Sequence, residues 1–275
     1  MKIHRALSIA GSAARGAAGV QADIKTFQEL DVYGMSAITA IVAGNPRTGQ
    51  GIYPQPLEAV EAQIHTALNE VGADAVKTGM LFTEEIIRHV SVWLKQSGVE
   101  RIVIDPVIFG KMGSMLLKEE AVEALKAELI PIASILTPNM EEASWLLGGR
   151  PLVSAEDLKK AARDLHKLGP QFVLVKGGRL TGPAIDVLYD GSHYYLLEAP
   201  RIHTNNTNGA GCTYAAAITA ELAKGRTVLE AAEQAKKFIT AAIRHAISFG
   251  KGVGPTCHSA YRKYDEAECR VTIET

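Results

Sequence analysis

The chain has 275 residues, 47% of them hydrophobic, and a formal net charge of −1. That is enough apolar material for one large core, and the charge balance favours neither a nucleic acid nor an anionic membrane as partner. Three cysteines, Cys212, Cys257 and Cys269, are too few and too scattered for a disulfide framework or a zinc site. The N-terminal "MKIHRALSIAGSAARG" lacks the apolar run of a signal peptide and no run reaches membrane-spanning length, so a reduced, cytoplasmic protein is expected.

In chain order, short apolar runs alternate with helical patterns. "RALSIAG" and "SAITAIVAG" look like buried strands, and an amphipathic stretch follows over 56–70. "ADAVKTG" precedes a second such stretch at 83–97, and "RIVIDPV" precedes a third at 115–129. "SILTPN" leads into a helix start at Asn139, and Ser154 with Asp157 caps a helix over 155–168 before the strand "QFVLVKGG". "AIDVLYDGSHYYLLEAP" is different, because two strand-like halves flank Asp190-Gly191, a hairpin signal placed at an antiparallel edge. Good helix formers fill Tyr214–Lys224, Gly225 stops that helix, and Thr227 with Glu230 forms a capping box for the next. The alternation implies an α/β fold of one domain over 1–275, with a mostly parallel central sheet, helices on both faces and an antiparallel edge hairpin.

In such sheets ligands bind beyond the carboxyl ends of the strands. Ser12, Lys77, Thr78, Asp105, Asn139, Glu142 and Lys176 all fall at those ends. "NTNGAGCT" places Gly209-Ala210-Gly211-Cys212 at a helix N-terminus, where unpaired N–H groups and the helix dipole suit an anion such as phosphate. An ordinary glycine turn feeding a buried helix explains the same residues. Asn139 and Glu142, spaced i, i+3, suit Mg²⁺ or form a capped helix start. Asp105 before Pro106 orients a metal–phosphate group or only makes a turn. Lys176 and Lys77 contact phosphate or are solvated, and Met80 flanks a flat ring or sits in the core. The eight histidines show no metal-ligand spacing. No P-loop is present, and "GSAARGAAG" matches the dinucleotide fingerprint only loosely, which disfavours a Rossmann dehydrogenase.

Taken together, "SIAG", "AGVQADIKTFQELDVYGMSAITAIVA", "VKTGML", "VIDPV", "LTPNMEEA", "VKGG", "NTNGAGCT" and "GKGVGP" resemble the hydroxymethylpyrimidine/phosphomethylpyrimidine kinases. The closely related pyridoxal kinases share these motifs, and both groups belong to the ribokinase-like superfamily. The resemblance runs from Arg5 to Tyr261, leaving 261–275 as a C-terminal extension. It implies a ribokinase-like domain that uses ATP and Mg²⁺ to phosphorylate a hydroxymethyl group on a six-membered nitrogen heteroaromatic ring. By the same resemblance, Gly209, Ala210, Gly211 and Cys212 form the anion hole over the transferring phosphoryl group. Cys212 stands where most of the superfamily has aspartate, as a base with a depressed pKa or as a positioning group. Asn139, Lys176 and Thr207 match nucleotide contacts, and Glu142 and Asp105 match the metal-side carboxylates. Gly11, Ala18, Gly44, Met80 and Val107 match the pocket around the ring, and a homodimer is implied.

The chain departs from the family pattern at Ala13 for aspartate, Ala17 for glycine, Gly44 for Gln, Glu or Met, and Asn208 for histidine. These changes surround the acceptor more than the nucleotide. The motifs order the readings as a pyrimidine kinase of thiamine biosynthesis first and a pyridoxal, pyridoxine or pyridoxamine kinase second. A catalytically weak vitamer-binding paralogue comes third.

Overall fold

The computed structural model describes residues 2–110, 115–264 and 268–275. Its strands are β1 (Arg5–Ala13), β2 (Tyr33–Val42), β3 (Ile52–Pro54), β4 (Ala75–Thr78), β5 (Ile102–Ile104), β6 (Ile135–Leu136), β7 (Phe172–Lys176), β8 (Ala184–Tyr189), β9 (Tyr194–Ala199) and β10 (Arg270–Glu274). They form one sheet in the order β10-β9-β8-β7-β6-β5-β4-β1-β2-β3. The run β2-β1-β4-β5-β6-β7 is parallel. Antiparallel pairing adds β8, β9 and β10 at one end and β3 at the other.

The expected hairpin is β8–β9. At its turn the Asp190 carboxylate accepts from the N–H groups of Ser192 and His193, and Gly191 takes φ 96°. The sheet's edge is nevertheless β10, formed within the C-terminal extension and pinned by an ion pair from Lys159 to Glu274. Residues 265–267 of that extension lie outside the described residues.

The helices are α1 (Val20–Glu29), α2 (Leu57–His65), α3 (Glu84–Ser97), α4 (Glu119–Ala124), α5 (Met140–Leu146), α6 (Ala155–His166), α7 (Ala210–Ala223), α8 (Val228–Arg244) and α9 (Ala260–Tyr264). Strand alternation sorts the core into two layers. Leu7, Ile9, Val76, Ile102, Ile104, Val173 and Val175 pack toward α2–α6. Ala6, Ala75, Val103, Ile135 and Leu174 pack toward α1, α7 and α8. Because both faces are covered, the central strands read as unbroken apolar runs, which is why they were legible.

The helices expected at 83–97 and 155–168 form with their caps: Thr83 accepts from the Ile86 N–H, and Ser154 and Asp157 bond reciprocally. The stretch at 115–129 becomes helical only at Glu119. Ahead of it, the N–H groups of Leu116 and Leu117 donate to the Ile108 carbonyl, so this backbone is spent on a loop contact. α7 is buried from Thr213 to Ala223, and alanines at 215, 216, 217, 220 and 223 let it lie close to the sheet between α1 and α8.

Candidate active site

A cleft of about 1260 Å³ opens at the carboxyl ends of the parallel strands. It exceeds the room one small ligand needs, which is roughly 300–1,000 Å³. It also meets the sheet where β1 has β2 on one side and β4 on the other, the point where the strand order reverses. Every residue matched above to the site lines it: Gly11, Ala18, Gly44, Met80, Asp105, Val107, Asn139, Glu142, Lys176, Thr207 and Gly209–Cys212.

The N-terminus of α7 forms one wall. Gly209 takes φ 79° and ψ 5°, and a Cβ there would fall 1.6 Å from the Ala17 carbonyl oxygen, so only glycine fits. Gly19 caps α1 with φ 62°, where a Cβ would lie 2.0 Å from the Gly11 carbonyl oxygen. The Gly209 approach sets the start of α7 against the turn before α1, the Gly19 approach seats that turn on β1, and a Gly19 backbone hydrogen bond reaches Cys212. Two helix N-termini then bias the same space toward negative charge.

Cys212 itself reverses the expected direction. Burial pushes its thiol up to about 11; Lys77 opposes the rise, Asp105 and Asp23 add to it, and the Gly19 N–H opposes it. In the ligand-free protein the thiol is therefore protonated at neutral pH.

Lys77 is buried, and Lys176 is largely so, with its side chain 11% exposed. Lys77 is fully inaccessible and lies 3.0 Å from Asp23 Oδ2, which also accepts from Ser8 Oγ at 2.6 Å. Burial works against the Lys77 ammonium, but the charges of Asp23 and Asp105 and the hydrogen bond to Asp23 leave its pKa raised. Lys176 Nζ lies 3.0 Å from Asp105 Oδ1, and a Cβ on Gly211 would come within 3.5 Å of it. Lys176 thus stands beside the turn that the sequence placed under an anion. Lys236 on α8 pairs with Asp186 on β8 at 2.6 Å.

On α5 the capping box and the proposed ligand residues are the same groups. Asn139 Oδ1 accepts from the N–H groups of Glu141 and Glu142, while Glu142 Oε2 accepts from the Asn139 N–H at 2.9 Å. The Asn139 oxygen is committed to the cap, which leaves its NH₂ as a donor, a group suited to phosphate rather than to a metal. Burial pushes Glu142 up to about 8, with Asp105 adding to the rise and Lys176 opposing it. Two buried carboxylates thus share one lysine and lack a full counter-charge. Among the described residues no group of three or more His, Cys, Asp or Glu could hold a metal. The Asp105–Glu142 pair nonetheless fits Mg²⁺, which commonly takes one or two carboxylates and completes its shell with phosphates and water.

Around Gly11 and Gly44 the lining includes the small apolar side chains of Ala10, Ala13, Ala17, Ala18, Val42 and Val107. Met80 closes over Gly11, where a Cβ would fall 2.5 Å from Met80 Cε, while a Cβ on Gly44 would meet nothing within 4 Å.

Sequence reasoning missed Asp23, Ser8, Gly19, Asp186 and Lys236. A signal existed for some of them. Lys77 and Asp186 occupy alternate positions within otherwise apolar runs, and Lys236 continues the buried α8 stripe of Ala232, Ala235 and Ile239. A charge in such a place demands a partner.

The phosphomethylpyrimidine kinase profile matches residues 14–257. The chain belongs to that family. This family member is 46% identical over 266 residues to the pyridoxine kinase of Bacillus subtilis (strain 168), covering 95% of this chain and 98% of that one. It is 44% identical over 265 residues to the hydroxymethylpyrimidine/phosphomethylpyrimidine kinase of the same strain, covering 96% and 97%. The structure of the pyridoxal kinase from Staphylococcus aureus in complex with AMP-PCP and pyridoxal superposes with a TM-score of 0.92 at 41% identity, over 100% of both chains. As a phosphomethylpyrimidine kinase family member with a ribokinase-like fold, the chain is a phosphotransferase with an alcohol group as acceptor. No described helix is long and apolar enough to cross a membrane.

Proposed function

We propose that the chain transfers the terminal phosphoryl group of ATP to the hydroxymethyl group of a vitamin-type nitrogen heteroaromatic ring, with the pyridine vitamers pyridoxal and pyridoxine preferred over the aminopyrimidine. The observation that carries the reaction is one cleft lined both by the α7 N-terminal turn and by the buried Asp105–Glu142 pair, with Lys176 beside each. In this reading the Gly209–Cys212 N–H groups and Lys176 bind charge on the transferring group, where loose phosphoryl transfer needs positioning and electrostatics more than covalent help. Mg²⁺, held by Asp105 and Glu142, supplies neutralisation of the phosphate charge when bound. Asn139 and Thr207 orient the nucleotide. Cys212 touches the acceptor and positions its hydroxyl, because a thiol with a pKa of about 11 is not poised as a base.

The preference for the pyridine ring rests on space. The open volume beside Gly44 suits a ring carrying one more substituent than the aminopyrimidine. The full-length superposition on a pyridoxal kinase supports the same order, reversing the one drawn from the motifs. Near-equal identity to a pyrimidine kinase keeps the aminopyrimidine as the second acceptor. We include a cytoplasmic homodimer in the proposal, which light scattering checks by mass.

Coupled ADP release, measured with pyridoxal, pyridoxine and 4-amino-5-hydroxymethyl-2-methylpyrimidine in parallel, tests the reading. Higher kcat/KM on the pyridine vitamers is expected. Higher kcat/KM on the pyrimidine would restore the motif-based order. Tight ring binding without turnover of any acceptor would leave a vitamer-binding protein.

A further inference from the structure

The segment 254–258 crosses between the end of α8 and the start of α7, and no part of the reaction described above uses it. It is tied to the α7 turn along its length. The Asn208 N–H donates to the Gly254 carbonyl at 3.0 Å, the Thr256 N–H donates to the Asn208 carbonyl at 3.4 Å, and the Gly254 N–H donates to Asn206 Oδ1 at 2.9 Å. On the α8 side, the Cys257 N–H donates to the Ala242 carbonyl and the Ile247 N–H to the Pro255 carbonyl, each at 2.9 Å.

A buried polar cluster completes the strap. Thr213, the residue after Cys212, places Oγ1 at 3.3 Å from Thr256 Oγ1 and 3.1 Å from His258 Nε2. All three side chains are buried. Burial lowers the His258 pKa to about 4, with Lys25 acting in the same direction. The ring is therefore neutral at working pH and acts as a fixed hydrogen-bonding partner. A hydroxyl held from two sides cannot rotate freely, and the first turn of α7 that carries it is fixed in angle.

We propose that Thr213, Thr256 and His258 form a strut that sets the α7 N-terminal turn, making His258 and Thr256 positioning residues for the transferring phosphoryl group. The inference rests on the reading of that turn as the anion hole. Displacing a reacting group by about 1 Å can cost on the order of 10²-fold in rate, so a strut on the residue adjoining the anion hole has leverage on kcat.

The test compares the full-length wild type with His258→Leu, His258→Gln and Thr256→Val on the acceptor that the wild type turns over. His258→Leu is expected to lower kcat by at least about tenfold with acceptor KM changed less than about twofold. His258→Gln, whose amide reaches the Nε2 position, is expected to restore most of that loss. Thr256→Val keeps the side-chain volume, so it carries the test should His258→Leu fail to fold, and it is expected to lower kcat several-fold while the melting temperature falls by no more than a few degrees. Wild-type kcat in His258→Leu or in Thr256→Val, or equal losses in the Leu and Gln variants, would overturn the strut. A ³¹P spectrum of bound AMP-PCP separates this inference from the reading beneath it. Should the wild type phosphorylate no acceptor, a γ-phosphate resonance moved by His258→Leu and returned by His258→Gln still supports the strut, and an unmoved one overturns it.

Discussion

A thiol with a pKa of about 11 carries its proton at pH 7, and only a small fraction is thiolate. Such a group can donate a hydrogen bond to an acceptor oxygen or pack against a ring, but it must lose a proton before it can take one. Two measurements follow at the residue scale. Alkylation of Cys212 by iodoacetamide in the ligand-free protein should accelerate about tenfold per pH unit between pH 7 and 10, since thiolate is the nucleophile and its fraction rises until the pKa is passed. A rate already level by pH 8 would mean that the two helix N-termini and Lys77 dominate over burial. Cys212→Ala should lower kcat by about tenfold or more and change nucleotide affinity by less than about twofold, because the contact to the acceptor proposed for it would act on the transferring step. Unchanged turnover would remove Cys212 from the reaction. The cysteine's presence at a helix start was legible in "GAGC". Its protonation state was not, because the pKa depends on burial and then on Lys77, Asp105 and Asp23, which lie far away in sequence and meet it only in the fold.

At the scale of elements, two glycines leave no room for a methyl group: Gly209 holds the start of α7 against the Ala17 carbonyl ahead of α1, and Gly19 holds the start of α1 against the Gly11 carbonyl on β1. Gly209→Ala places a Cβ 1.6 Å from a backbone oxygen at φ 79°. The backbone strain of about 1–3 kcal/mol is only part of the cost, since the turn must also move off the Ala17 carbonyl. The variant should melt several degrees lower and lose at least about 10²-fold in kcat/KM. Gly44→Ala is the matching control: with nothing within 4 Å of the new methyl and no positive φ, stability should stay within about 0.5 kcal/mol while the acceptor KM changes. Equal damage from both substitutions, followed by calorimetry and steady-state kinetics, would refute this account of the turn. The α7 glycine motif and the α6 and α8 caps were readable because their signals are local, with side-chain oxygens three residues from their backbone donors. α1 went unread because its cap is Gly19, which offers no side-chain hydrogen bond, and β10 because five residues of half-exposed strand carry little pattern of their own.

For the whole molecule, the alternation of strands and helices made the parallel sheet and its ligand-binding end legible, while the pairing of buried charges across it was not. Asp23–Lys77, Asp105–Lys176 and Asp186–Lys236 each join residues from different elements. Burying such pairs costs solvation that their attraction only partly offsets, so any unbalanced charge in this layer shows in global stability. Glu142 is that imbalance. Its folded pKa of about 8 lies well above the unfolded value of about 4.3, so the folded state holds a proton that the unfolded chain gives up earlier. Stability from this group is complete below about pH 4.3 and is lost as pH rises toward 8. His258 works in the opposite sense: at a folded value of about 4 against about 6.5 unfolded, it costs stability as pH falls below about 6.5. The two effects offset one another between about pH 4.5 and 6.5, and of these two groups Glu142 alone still titrates above that window. The ligand-free melting temperature should therefore fall between pH 6.5 and 8, and Glu142→Gln should flatten that fall. With Mg²⁺ and AMP-PCP bound the decline should shrink or reverse, because a cation beside Asp105 and Glu142 favours the ionised carboxylate, and its binding near pH 7 should release protons that the Gln variant does not release. Calorimetric melts across this range, with titrations in buffers of different ionisation enthalpy, measure both quantities. A wild-type melting temperature that is flat or rising from pH 6.5 to 8, together with equal proton release in both proteins, would show that Glu142 is ionised in the resting cleft and that the carboxylate pair already has its counter-charge.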